Sequence, residues 1–190
     1  MPRCVALLVA LALTITPILA RPAGQTRNAL VDTTVLIVRH GEKPAEGTDL
    51  TPAGVARANA YPAFFKKYHD MYGRRVHIDH IFATADSKGS HRERLTMEPL
   101  AKSLNLQLDL RFKNKQYGDL VDALKSKSYG HTVLICWHHG HIPDMLSAFG
   151  AQPAKLLPGG KWPEDHFDYV IELDFDHQAN LAHERKSSEN

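Results

Sequence analysis

Two short apolar runs constrain this chain more than anything else in it: Thr33 to Val38 (TTVLIV) and Thr132 to Trp137 (TVLICW). Neither alternates polar with apolar residues, so neither can lie with one face in water. A strand that is apolar on both faces belongs in the middle of a sheet, with helices covering it on both sides. Both runs stop abruptly at chemically loaded residues, Arg39-His40-Gly41 after the first and His138-His139-Gly140-His141 after the second.

The remaining sequence supplies the covering helices. At Leu50-Thr51-Pro52-Ala53-Gly54, Thr51 can cap a helix N-terminus and Pro52 can take the first helical position, where its missing N–H costs nothing. Val55, Ala58, Phe64, Phe65 and Tyr68 carry that helix to about Tyr72, with Pro62 as a point of bending. A second strand is expected from Ile78 to Ala83, followed by the polar loop Thr84 to Ser90 and a helix from about His91 to Leu104. Leu106 to Leu110 alternates as a short strand, while Leu120, Val121 and Leu124 mark one more helix and Met145, Leu146 and Phe149 another. Phe167 to Phe175 is the last expected strand. Strands alternating with helices predict an α/β fold, a three-layer sandwich whose largely parallel central sheet is flanked by helices.

The ends of the chain read differently. Arg3 precedes an apolar run from Val5 to Leu13, and a small residue, Ala20, stands before Arg21, which predicts a cleaved signal peptide over 1–20 and an exported, periplasmic or secreted protein. The run is too short for a membrane span and Pro17 interrupts it, so no stable membrane association is expected once the leader is gone. Residues 21–32 are expected to be a loose lead-in, 33–184 a single domain and 185–190 a disordered tail. Cys4 leaves with the leader, so the mature chain keeps one cysteine, Cys136, inside an apolar run where a buried core thiol is expected. The 23 basic and 21 acidic side chains nearly cancel, which argues against a nucleic-acid surface. Histidine is the outlier, at 12 of 190 residues.

In open α/β sheets, ligands bind outside the carboxyl ends of the strands. Arg39 and His40, Arg92 beyond the second strand, and His138 and His139 should therefore converge. Guanidinium groups and imidazoles with no carboxylate cluster make a positive site suited to a phosphoryl group. His138, His139 and His141 could also be read as metal ligands, but no carboxylate or thiolate pattern such as His-Glu-x-x-His accompanies them, and neither a metal nor a cofactor is expected.

Taken in order, Arg39-His40-Gly41, Leu50-Thr51-Pro52 with Gly54, the spacing from Arg92 to Thr96, and the late strand leading to His139-Gly140 resemble the histidine phosphatase superfamily, in its phosphoglycerate mutase-like branch. The resemblance runs from about Val35 to Leu146. It implies a metal-independent phosphatase acting on phosphoric monoesters or phosphoanhydrides of small molecules or phosphoproteins. His40 would be the nucleophile that becomes phosphohistidine, and Arg39, Arg92 and a second histidine would hold the phosphoryl oxygens. Gly41, His138 and Gly140 would shape the substrate site. The His-Gly dipeptide favours His139 as that second histidine, whereas counting from the end of the apolar strand favours His138.

The family pattern fails at the general acid. Lys115, in Asn114-Lys115-Gln116-Tyr117-Gly118, stands where the mutase branch has a glutamate, and Gly140, or His139 in the other register, stands where the acid phosphatase branch has an aspartate. Glu42, Asp86 and Asp144 are the carboxylates within plausible reach. A missing acid makes mutase activity unexpected and leaves open a weakly active or inactive phosphate-binding module of the same fold.

Overall fold

The computed structural model describes residues 28–189 together with Met1. The expected signal peptide and the lead-in up to residue 27 lie, Met1 aside, outside the described residues.

The two apolar runs are neighbouring parallel strands. β1 (Thr33–Arg39) pairs with β4 (Thr132–Trp137) in a register that sets Val38 beside Cys136 and Arg39 beside Trp137. β2 (His80–Ala83) lies on the other side of β4, and the two-residue β3 (Leu108–Asp109) lies beyond it, both parallel. Two antiparallel strands, β5 (Tyr169–Phe175) and β6 (Leu181–Ser188), complete the order β3-β2-β4-β1-β5-β6, so the six-stranded sheet is mixed.

Successive side chains of a strand point to opposite faces, and this divides the core into two layers. Val35 and Ile37 of β1, with Val133, Ile135 and Trp137 of β4, pack against α3 (Tyr117–Ser126) and α4 (Ile142–Phe149). The intervening Leu36, Val38, Leu134 and Cys136 pack against α1 (Pro52–Lys67) and α2 (Arg92–Leu104). A short α5 (Pro153–Leu156) adds to the first layer. The expected three layers are present, and Cys136 is a fully buried core thiol whose pKa burial pushes well up.

Local chemistry explains most boundaries. Thr51 caps α1, its hydroxyl accepting the Gly54 N–H at 3.2 Å, and Pro52 takes the first position as expected. Pro62 is accommodated within the helix, which ends at Lys67 rather than near Tyr72. The Asp70 carboxylate takes the N–H groups of Tyr72 and Arg74 and folds the chain into a turn closed by a His69–Arg75 bridge, a local alternative to further helix.

Residues 185–188, expected to be a disordered tail, are instead the second half of β6. Arg185 donates to the fully buried Glu172 carboxylate at 2.5 Å, and Glu189 accepts from the Tyr61 hydroxyl at 2.8 Å and pairs with Arg57. The segment Arg185-Lys186-Ser187-Ser188 is polar because it forms a sheet edge, where charged side chains discourage pairing with other chains. Composition alone does not separate such a strand from a tail.

Candidate functional site

The parallel pairing of β1 with β4 carries Arg39 and His40 to the same end of the sheet as His138 and His139. Arg39 is completely buried. Its Nη1 is shared among the carbonyls of Pro163, Glu164 and His166 at 2.9–3.0 Å, and its guanidinium lies over the Phe167 ring, 3.8 Å from the centroid. Trp162 pins the same loop by donating to the His166 carbonyl at 2.7 Å. Burial lowers the Arg39 pKa to about 10, which leaves it charged at neutral pH. Its Nε and Nη2 are buried without a partner.

His40 is equally buried. Its Nδ1 lies 2.7 Å from the Gly41 carbonyl, which can only accept, so Nδ1 carries the proton and Nε2 carries the lone pair. That Nε2 is also buried without a partner. Burial, followed by the Arg39 charge and the two neighbouring imidazoles, lowers the His40 pKa to about 3 against the pull of the Gly41 hydrogen bond. A neutral imidazole with a fixed tautomer and a bare nitrogen is what a nucleophile requires.

Two contacts hold the loop after β1 in place. The Gly41 N–H donates to the Thr96 hydroxyl at 2.9 Å, and that hydroxyl donates onward to the Arg92 carbonyl at 2.6 Å. Gly41 and Gly54 face each other so closely that a Cβ on Gly54 would lie 2.6 Å from the Glu42 carbonyl oxygen. Only a residue without a side chain allows the start of α1 to approach this loop.

The second histidine is a pair. The His138 and His139 rings lie 5.8 and 6.0 Å from the His40 ring and stack on each other at 4.5 Å. The Gly140 N–H donates to His138 Nδ1 at 3.1 Å, so neutral His138 carries its proton on Nε2. His139 is buried, with its Nε2 3.6 Å from the Glu164 carboxylate, and burial and the Arg39 charge lower its pKa to about 4. His141 stacks on Tyr117 instead. Ring nitrogens of His40, His138 and His139 all lie within 4.8 Å of one another, so these three, rather than the His138, His139 and His141 of the sequence reading, could hold a metal ion. The Arg39 guanidinium beside them favours an anion over a dication.

Arg92 is placed differently. Its guanidinium donates to the carbonyls of Gly47 and Asp49, so it braces the loop before α1, and its contact with the histidine loop runs through its own carbonyl and Thr96. Arg94 pairs with Asp86 and Glu98.

The three carboxylates considered from sequence are engaged or exposed. Glu42 pairs with Arg57 through two hydrogen-bonded oxygens and its pKa is lowered; Asp86 lies 2.8 Å from Arg94; and Asp144 is 60% exposed, 3.8 Å from His141. Sequence reasoning passed over Glu93, which is 3% exposed in the first turn of α2. Its signal was the spacing to Thr96, Met97 and Leu100, the buried stripe of that helix. With Thr84, Asn114, Lys115 and His138, Glu93 lines a cleft of about 840 Å³. No feature of the sequence pointed to Phe167 or to the carbonyls of 163–166.

No protein-family model matches the sequence, and no curated protein matches it. Solved structures do match. A phosphoglycerate mutase from Bacillus anthracis superposes with a TM-score of 0.55 at 12% identity, over 82% of this chain and 91% of that one. A protein from Agrobacterium tumefaciens, provisionally described as the phosphohistidine phosphatase SixA, gives 0.50 at 20% identity over 75% and 92%. A histidine-to-alanine variant of a phosphoserine phosphatase from Entamoeba histolytica, solved with phosphoserine, gives 0.50 at 16% over 82% and 95%. The chain has the histidine phosphatase fold. In this fold's frame, Arg39, His40, His138 and His139 sit together at the carboxyl ends of β1 and β4, where an open α/β sheet holds its ligand.

Proposed function

We propose that the protein is a phosphatase that needs no metal ion and hydrolyses phosphoric monoesters or phosphoanhydrides through a phosphohistidine on His40. The observation that carries this reading is the state of His40: buried, neutral, its Nδ1 bound to the Gly41 carbonyl and its Nε2 without a partner, next in sequence to an arginine with two buried, unpaired nitrogens. Unpaired buried polar groups are costly, and a phosphoryl group would satisfy all three at once.

In the first step the Nε2 lone pair of His40 attacks phosphorus in line as the bond to the leaving oxygen breaks. Arg39 Nε and Nη2 donate to the equatorial oxygens, and His138 adds its Nε2–H. His139, whose pKa an arriving dianion would raise, adds positive charge as it takes up a proton. In the second step water attacks phosphorus, releasing phosphate and restoring the neutral ring. Charge stabilisation by these fixed donors is the task a metal ion performs elsewhere. Arg92, whose Nε and Nη2 donate to the carbonyls of Asp49 and Gly47, braces the loop before α1 and remains a candidate to hold a phosphoryl oxygen in this reading.

The leader-like N-terminus supports action after export, in the periplasm or outside the cell, on phosphorylated small molecules or phosphoproteins. Among the described residues no helix is long and apolar enough to cross a membrane. The discriminating measurement is hydrolysis of p-nitrophenyl phosphate with and without chelator, beside His40→Ala. Turnover that survives chelation, disappears in the variant and leaves an acid-labile, base-stable phosphoenzyme is expected. Turnover abolished by chelator would overturn the metal-free mechanism, and tight phosphate binding without turnover would make the protein a binding module.

A further inference from the structure

We propose that Glu93, a buried carboxyl lining the same cleft as His138, is the proton donor to the leaving group and enables this site to cleave unactivated alkyl phosphates. The inference rests on the phosphatase reading of His40. A phosphohistidine mechanism by itself requires no acid for activated substrates, but an alkoxide leaving group must be protonated as it departs.

Glu93 stands on the same buried face of α2 as Thr96, one turn nearer the helix start. Thr96 holds the nucleophile's loop through the Gly41 N–H, so the segment that positions His40 also positions Glu93. The cleft lined by Glu93 and His138 also holds Thr84, whose buried hydroxyl at the end of β2 has no partner, and Asn114, whose buried Oδ1 has none either. A buried carboxyl, an unpaired hydroxyl and an unpaired amide oxygen, gathered in a cleft that His138 also lines, form a polar pocket for a hydroxyl-bearing leaving group. The Glu93 carboxylate accepts a hydrogen bond from the Ser90 hydroxyl at 3.0 Å and makes no ion pair among the described residues. Arg92 and Asp86 are the charged groups that act on it, in opposite directions, and burial holds its pKa above the usual carboxylate range. Glu42 is disqualified by Arg57, which favours its ionised form, and Asp86 is engaged in an ion pair with Arg94.

The proton balance is complete. As the His40 Nε2–P bond forms and the P–O bond breaks, the Glu93 O–H proton passes to the departing oxygen. The resulting carboxylate then takes a proton from the water that attacks phosphohistidine, which returns Glu93 to its acid form. Lys115, standing where the mutase branch has its glutamate, becomes a rim residue of the same cleft.

The experiment compares wild type with Glu93→Gln on glycerol 2-phosphate, whose leaving group is poor, and on 2,4-dinitrophenyl phosphate, whose leaving group needs no proton. Glutamine keeps the shape and the acceptor for Ser90. The expected result is a loss of about 100-fold or more in kcat/KM on glycerol phosphate with kcat/KM on the dinitrophenyl ester, which reports only the phosphorylation of His40, within about 3-fold of wild type, which also verifies folding. Equal losses on both substrates, an unchanged rate on glycerol phosphate, or a wild type that cleaves only the activated ester would each overturn the role of Glu93 while leaving the His40 reading intact. A wild type inert on both substrates, with no phosphoenzyme, would overturn the phosphatase reading itself and this inference with it.

Discussion

The guanidinium of Arg39 lies 3.8 Å above the ring of Phe167, joining the last residue of β1 to the loop that enters β5. Nη1 is tied to three carbonyls of that loop and the ring lies beneath the guanidinium, which holds the side chain in an orientation that leaves Nε and Nη2 buried without a partner. Fixing a guanidinium before the substrate arrives removes the entropy cost of ordering it during the reaction.

Phe167→Ala should therefore affect more than packing. Loss of a half-buried ring and its cation–π contact is expected to cost about 1–2 kcal/mol in denaturant unfolding. The value of kcat should fall further than stability alone explains, because Arg39 can then leave its position. Phe167→Tyr, which keeps the aromatic face, should restore both measurements.

Thr96 tests the other support of the site. Thr96→Val is nearly isosteric but leaves the Gly41 N–H and the Arg92 carbonyl without the hydroxyl that joins them. An expected cost of about 1–3 kcal/mol should appear in urea unfolding, with a lowered kcat on p-nitrophenyl phosphate. Thr96→Ser keeps the hydroxyl and should retain most of the activity. Equal kinetics in the two variants would show that this bridge does not position the nucleophile.

Acid should weaken the fold before it weakens the nucleophile. The folded-state pKa values of His40 and His139 are lowered to about 3 and about 4, while in the unfolded chain both return to the ordinary histidine value of about 6.5. Between those limits the unfolded chain binds protons that the folded chain does not. Stability is therefore unaffected by these groups above about pH 6.5 and is lost as pH falls from there toward 4. Urea midpoints should drop between pH 7 and pH 5, with a shallower drop in His139→Gln. Over the same interval kcat should show no limb from His40, once the ionisation of the monoester near pH 6 is allowed for. A kcat limb near 6.5 that is carried by His40 would contradict its buried, neutral state.

The legible part of this protein was its middle. TTVLIV and TVLICW could only be buried central strands, and the residues directly after a buried strand must emerge at its end, so the meeting of His40 with His138 and His139 follows from local sequence and one rule of α/β sheets. The cap at Thr51, the helix at Arg92–Leu104 and the core position of Cys136 were equally local matters.

Other features depended on partners far along the chain. Whether Arg185-Lys186-Ser187-Ser188 forms a strand depends on Glu172 and the exposed edge of β5, and whether Arg92 faces a substrate or the carbonyls of Gly47 and Asp49 depends on how the loop before α1 lies. Glu93 stands between two arginines in Arg92-Glu93-Arg94, with only its spacing to Thr96, Met97 and Leu100 to hint at the inward face that the packing of α2 gives it. Hydrophobic period and capping chemistry are set by residues within a few positions of each other, so they can be read from the chain itself. The direction of a long polar side chain, and with it the state of its proton, is set by burial and by hydrogen-bond partners that only the folded structure brings near.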